Sequence, residues 1–327
     1  MNRYEITLTM VRNFIWILDS AIFLVFFVLR PSSFGTLNNI HYILYYSSVL
    51  GFGVIAEAIA LISGNFDLSV GENIGFSAML TAVILKSFNS PSPLVGVIGI
   101  VLVLLISTGL GLINGILVGF LNLNAFLATL GTYLLFFWGT LAIRSTVVYG
   151  LPEVFLFLGG GKIGGVWASI FIFFVVIAFF HFILRYTRFG IKLYAVGVDK
   201  RSSHMLGLNV NRITFYAYLL AGFFAGLAAL MYVGLVGCVP PQLADGTIFD
   251  FFAGAVLGGV SIRGGQGTLM GVFGGILFMG ITRSGLIMLG IDPNVVGLLS
   301  GFLILVAIII DMLRNKALEK MLSRRQP

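Results

Sequence analysis

Residues 94–119 read LVGVIGIVLVLLISTGLGLINGILVG, twenty-six positions without a charged side chain. A helix rises about 1.5 Å per residue, so a run of this length crosses the roughly 30 Å hydrocarbon layer of a bilayer. Working outward, apolar runs bounded by turn residues predict spans at 13–30, 40–63, 71–87, 94–119, 124–144, 166–184, 213–236, 250–261, 268–290 and 293–313. That makes ten, the eighth of them short. The composition agrees: 59% of the 327 residues are hydrophobic, 9% are charged, and mean hydropathy is +1.07. Soluble chains run near 45–50% apolar and about 25% charged. A water-soluble enzyme is excluded, and the chain reads as an all-α polytopic membrane protein, one domain over 1–327. Its longest polar segment is a loop at about 185–212, too short for a soluble catalytic domain.

The net charge of +7 could suggest nucleic acid, but no Lys/Arg-rich face alternates with aromatics. The basic residues instead mark topology. Arg3 and Arg12 open the chain; Arg185, Arg188, Lys192, Lys200, Arg201 and Arg212 fill the middle loop; Arg314, Lys316, Lys320, Arg324 and Arg325 end it. Excess Lys and Arg stay on the cytoplasmic side, so both termini and the loop are expected there, in a cytoplasmic membrane. The basic start followed by Phe14–Leu29 resembles a signal peptide, yet Arg30-Pro31 follows in place of a small-residue cleavage site. An uncleaved first span is expected. Cys238 is the single cysteine, and His41, His181 and His204 are scattered, so neither a disulfide nor a metal cluster is expected.

Several glycine patterns need separating. Gly159-Gly160-Gly161-Lys162 lacks the Ser/Thr after lysine and the first glycine of a phosphate loop, so the chain is expected to bind no ATP. The segment 145–165 around it reads as a surface loop. Gly111, Gly115 and Gly119 repeat at four-residue spacing, as do Gly254/Gly258 and Gly271/Gly275. Such stripes let helix backbones approach closely in lipid, and packing within the chain is the expected use. The glycine turns at Gly64–Gly71 and Gly264–Gly267 suggest a duplication of the kind transporters carry.

Two polar segments stand out. Ser69-Val70-Gly71-Glu72 has the S-x-x-E form of a capping box, with Asp67 just before it. It reads either as a helix-entry turn or as part of a translocation path or gate. In the stretch 194–207, Asp199 can cap a short helix from Lys200, and Gly207 can end it in the left-handed conformation. Apolar Met205 and Leu206 between basic flanks give this helix two readings, one lying on the membrane surface and one docking on a cytoplasmic partner.

Four segments together resemble the permease subunits of bacterial and archaeal ABC importers of the ribose/galactose type. They are Ser63-Gly-Asn-Phe-Asp-Leu-Ser-Val-Gly71, Asn124-Ala-Phe-Leu-Ala-Thr-Leu-Gly131, Gly197–Val210, and Asp250–Gly267 with Gly264-Gly-Gln-Gly267. They follow the family's order and spacing from about residue 35 to 312. The resemblance implies a type II importer fold of ten helices and a non-catalytic subunit with no catalytic or metal residues. It implies a second permease copy or paralogue, an extracytoplasmic solute-binding protein and a cytoplasmic ATPase that binds ATP and magnesium. The segment holding Gly197, Asp199, Lys200, Ser202, Ser203, Met205, Leu206 and Gly207 would contact that ATPase. A small polar solute, a monosaccharide such as ribose first, would be the cargo.

Candidates for the path or its gate are Glu57, Asp67, Ser69, Asn124, Phe126 and Arg283. Ser202 and Ser203 replace paired alanines, Glu57 an apolar residue, and Arg283 a common asparagine. Ionisable groups within spans face partners or water, so Glu57 and Arg283 either pair with each other or line an aqueous path. A secondary transporter or channel using Glu57 as an ion carrier is the alternative class; the docking pattern argues against it. A membrane-embedded enzyme lacks the clustered Asp, His or Cys it would need.

Overall fold

The computed structural model describes residues 14–90, 92–292, 295–299, 301–302, 305–306, 309 and 312. The basic residues at 3, 12 and 314–325, and much of the run at 293–313, lie outside them. Among the described residues six helices are long and apolar enough to cross a membrane: α3 (Leu37–Ile62), α5 (Pro93–Gly115, prolonged by a wider turn to Phe120), α6 (Ala125–Ile143), α8 (Ala168–Tyr186), α11 (Val210–Val236) and α13 (Leu269–Met288). The chain is a polytopic helical membrane protein. Among the described residues are also the helices α1 (Phe14–Leu29), α2 (Pro31–Phe34), α4 (Val70–Ser87), α7 (Glu153–Gly160), α9 (Arg188–Val198), α10 (Lys200–Met205) and α12 (Thr247–Leu257).

α3 is the central element. From Ser47 to Ile62 every residue is buried, because α11, α12 and α13 surround it. The glycine stripes do the work expected of them inside the chain. A Cβ on Gly111 would lie 2.7 Å from Gly222 Cα, one on Gly115 2.9 Å from Phe215 O, and one on Gly119 2.8 Å from Asn211 O. The bare face of α5 therefore lies directly on the backbone of α11. Gly258 meets the Gly271 carbonyl in the same way, at 2.6 Å, and joins α12 to α13.

The segment 145–165 differs from the expected surface loop. It contains α7 and β1 (Lys162–Ile163), which pairs with β2 (Val166–Trp167) just beyond it in a two-stranded hairpin. Gly159 and Gly160 are not loop residues; they end α7, where the missing Cβ lets the helix touch the carbonyls of Leu230, Met231 and Gly234. Val148 pairs with Val239 close by. This defines a hairpin end of the bundle, opposite the end that carries α9 and α10.

The suspected duplication has a structural counterpart, but the residue that matches Gly64 is Gly259, not Gly264. α3 closes with bonds from Gly64 N to Leu61 O and Asn65 N to Ala60 O. α12 closes with the same pattern, Gly259 N to Val256 O and Val260 N to Ala255 O. Both glycines are left-handed, φ 74° and 86°, as this helix ending requires. Each ending leads into a turn and a helix running back, α4 and α13.

Candidate coupling and translocation site

α10 forms as the sequence leads one to expect. The Asp199 side chain accepts from Arg201 N (2.8 Å) and from the Ser202 hydroxyl (2.7 Å), and Gly207 ends the turn at φ 78°. The Ser202 hydroxyl first, then the Arg201 N–H, hold the Asp199 carboxyl below its ordinary range. Met205 and Leu206 are 73% and 79% exposed. Ser203 is buried, facing inward.

Two distant glycine turns meet the last turn of α9 beneath α10. A Cβ on Gly197 would collide with the carbonyl of Ile62 and lie 2.6 Å from Gly265 N. One on Gly264 would lie 2.6 Å from both Gly197 O and Gly64 Cα. Gly265 N donates to Ile62 O at 2.9 Å. Two side chains fasten the junction: Lys200 Nζ donates to Asn65 Oδ1 at 2.7 Å, and Tyr194 Oη donates to Gly267 O at 2.9 Å. Burial lowers the Lys200 ammonium from its ordinary value. α10 is thereby tied to the end of α3 and to the turn that follows α12.

One turn further in, the 63–69 segment carries a buried polar network. Asp67 Oδ1 accepts from Ser69 Oγ (2.6 Å), Ser69 N (3.1 Å) and Asn114 Nδ2 (3.3 Å). Asn114 Nδ2 also donates to Ser69 Oγ at 2.7 Å, and Thr132 Oγ1 donates to Asn114 Oδ1 at 2.8 Å. Leu68 N donates to Thr129 Oγ1, and Tyr218 Oη to Phe66 O. Deeper still, Ser107 Oγ bridges Asn73 Oδ1 and Gly222 O. Buried polar groups in a spanning bundle need such partners, and here they tie α4, α5, α6 and α11 to one turn. Glu57 sits against it, 1% exposed, with its Oε2 buried without a hydrogen bond.

The capping box is not formed. Ser69 is the N-cap of α4 but makes no side-chain cap bond, because its hydroxyl is engaged by Asp67 and Asn114. Glu72 is left free of it.

Glu57 and Arg283 do not pair. The Arg283 guanidinium lies over the Tyr46 ring, 4.6 Å from its centre, at a cavity of about 20 Å³ lined also by Asp250 and Thr282. Tyr46 precedes Glu57 by eleven residues on α3, about 16 Å along the axis. Asn124 caps α6 by accepting from Leu127 N, and it and Phe126 are exposed at that helix start. The structure thus joins Glu57, Asp67 and Ser69, and leaves Asn124, Phe126 and Arg283 apart from them. Asn114, Thr129, Thr132 and Tyr218 went unnoticed in the sequence; single polar residues inside otherwise apolar spans were the available signal. Among the described residues no group of three His, Cys, Asp or Glu could hold a metal ion.

The family described as branched-chain amino acid transport system / permease component matches residues 39–308. The galactose/methyl galactoside import permease of Haemophilus influenzae is 30% identical over 93% of this chain and 96% of its own length. The D-allose transport system permease of Escherichia coli is 32% identical over 89% of each chain, and the ribose import permease of that species 29% identical over 85% and 87%. No solved structure matches the chain. With more than half of its length under the family match, the chain belongs to the branched-chain amino acid transport system / permease component family.

Proposed function

We propose that this chain is the non-catalytic transmembrane subunit of an ABC importer for a monosaccharide, working as a pair of permease subunits. The junction of Gly64, Gly197 and Gly264–Gly265 beneath an exposed apolar helix is the observation that carries this reading. In it, Met205 and Leu206 enter a pocket of a cytoplasmic ATPase. α10 then pushes on the ends of α3 and α12, and the Asp67 network passes the movement to α4, α5, α6 and α11. α10 faces the cytoplasm with both termini, and the hairpin end faces an extracytoplasmic binding protein. The bundle is of the ten-helix, type II kind, with 293–313 as its last span. ATP and magnesium belong to the partner.

The sugars named for the relatives supply the cargo class: polyhydroxylated, neutral and small. The test is uptake of D-galactose, D-ribose and D-allose by the complete importer in proteoliposomes, with ATP on the α10 side. Accumulation of one of them against its gradient supports the reading; accumulation of none, with a working binding protein present, removes the sugar assignment.

A further inference from the structure

Two acidic residues lie halfway across the bundle, outside the network described above. α12 is eleven residues long, about 16 Å, and its last residues lead directly into the junction at Gly264–Gly265. Its first residue, Thr247, therefore stands about midway through a hydrocarbon layer of roughly 30 Å. The start of α4 shares this depth: a Cβ on Gly71 would lie 3.1 Å from Ala244 O and 3.4 Å from Thr247 Oγ1. Two helices thus begin side by side in the interior, an arrangement that transporters use to present helix ends to a solute.

Glu72 and Asp245 flank this contact. Glu72 is 5% exposed, and its Oε1 is buried with no hydrogen-bond partner. Asp245 is exposed and follows Ala244, whose carbonyl faces Gly71, the residue before Glu72. Tyr133 stands on α6, which packs against α4, and its ring stacks with that of Phe137 at 6.4 Å. An exposed carboxylate at this depth faces water or a partner rather than lipid.

We infer that Glu72, Asp245 and Tyr133 form a solute contact point at mid-depth in the translocation path. The carboxylates accept hydrogen bonds from the hydroxyls of a neutral polyhydroxylated solute. The Tyr133–Phe137 surface meets its C–H face, and the negative charge turns anions away. The inference rests on the permease reading and names the residues that meet its cargo.

Thiol labelling of the complete importer tests it without requiring the true solute. In a Cys238→Ser background, Asp245→Cys is treated with cationic trimethylammonium-ethyl and anionic sulfonato-ethyl methanethiosulfonates, with rates normalised to a free thiol. Val175→Cys, at a position 69% exposed on α8, serves as the lipid-facing control. The expected result is labelling at Asp245→Cys with the cation faster by about tenfold, a preference that collapses on adding Glu72→Gln, and no labelling at Val175→Cys. Should Asp245→Cys be as inert as the control, the aqueous path does not pass here. Equal rates for the two reagents would remove the acidic contact point. A chain that carries no sugar would still show the charge preference, so the failure of the cargo assignment and of this inference are told apart.

Discussion

Replacing Gly197 by alanine loads the coupling junction at its tightest point. The added methyl falls on the Ile62 carbonyl and lies 2.6 Å from Gly265 N and 3.0 Å from Gly265 Cα. All three are backbone atoms, so no flexible side chain can yield. Overpacking of this kind costs about 1–3 kcal/mol. Separating the two strands of backbone also stretches the Gly265 N to Ile62 O bond, a further loss of about 1 kcal/mol. A local penalty of about 2–4 kcal/mol follows, enough to part α9 from α3 while leaving the spans inserted. Gly75→Ala is the matched control, since its Cβ meets nothing within 4 Å on a helix of the same bundle. The assay is ATP-driven uptake and solute-stimulated ATPase activity of the complete importer, with a thermal melt of the purified complex. Gly197→Ala should assemble, melt earlier and lose most coupled uptake, and Gly75→Ala should match the unaltered protein. Unchanged uptake and melting for Gly197→Ala would refute the junction as the coupling element.

Further expectations follow from individual contacts. Met205→Asp, at a position 73% exposed, should leave insertion and melting intact and abolish ATP-driven uptake; normal uptake and ATPase stimulation would end the docking assignment. Lys200→Met and Asn65→Ala should be non-additive in melts of the complex, with a coupling of about 0.5–3 kcal/mol across their 2.7 Å bond. Glu57→Met and Arg283→Asn should add within about 0.5 kcal/mol, because about 16 Å of α3 separates Glu57 from the Tyr46 ring that holds Arg283. Tyr46→Leu with Arg283→Asn should instead couple by about 0.5–2 kcal/mol through the cation–π contact.

Six of the spans were legible because lipid imposes a length and a composition that each run displays by itself. α10 was legible for the same local reason: Asp199 and Gly207 act within a few residues of themselves. What escaped depended on distant partners. Nothing in the residues around Gly197 announces that Gly64 and Gly265 will close over it. The capping box at Ser69 failed because Asn114, forty-five positions away, draws its hydroxyl aside. Gly159 and Gly160 read as loop residues because their reason for lacking side chains, the backbone of α11, lies some seventy residues further on. Glu57 and Arg283 read equally as a pair or as two groups lining a path; which of these holds depended on distant partners, the Asp67 turn for one and the Tyr46 ring for the other.

The central claim is that this chain moves solute because an ATPase moves α10. The direct measurement is accumulation of D-galactose, D-ribose or D-allose in proteoliposomes, made with the chain alone or with its ATPase and binding protein, each with and without ATP and with and without an imposed proton gradient. The account predicts accumulation only in the complete system with ATP, unaffected by an ionophore that collapses the gradient. Accumulation by the chain alone, driven by the proton gradient and lost in Glu57→Gln, would contradict it.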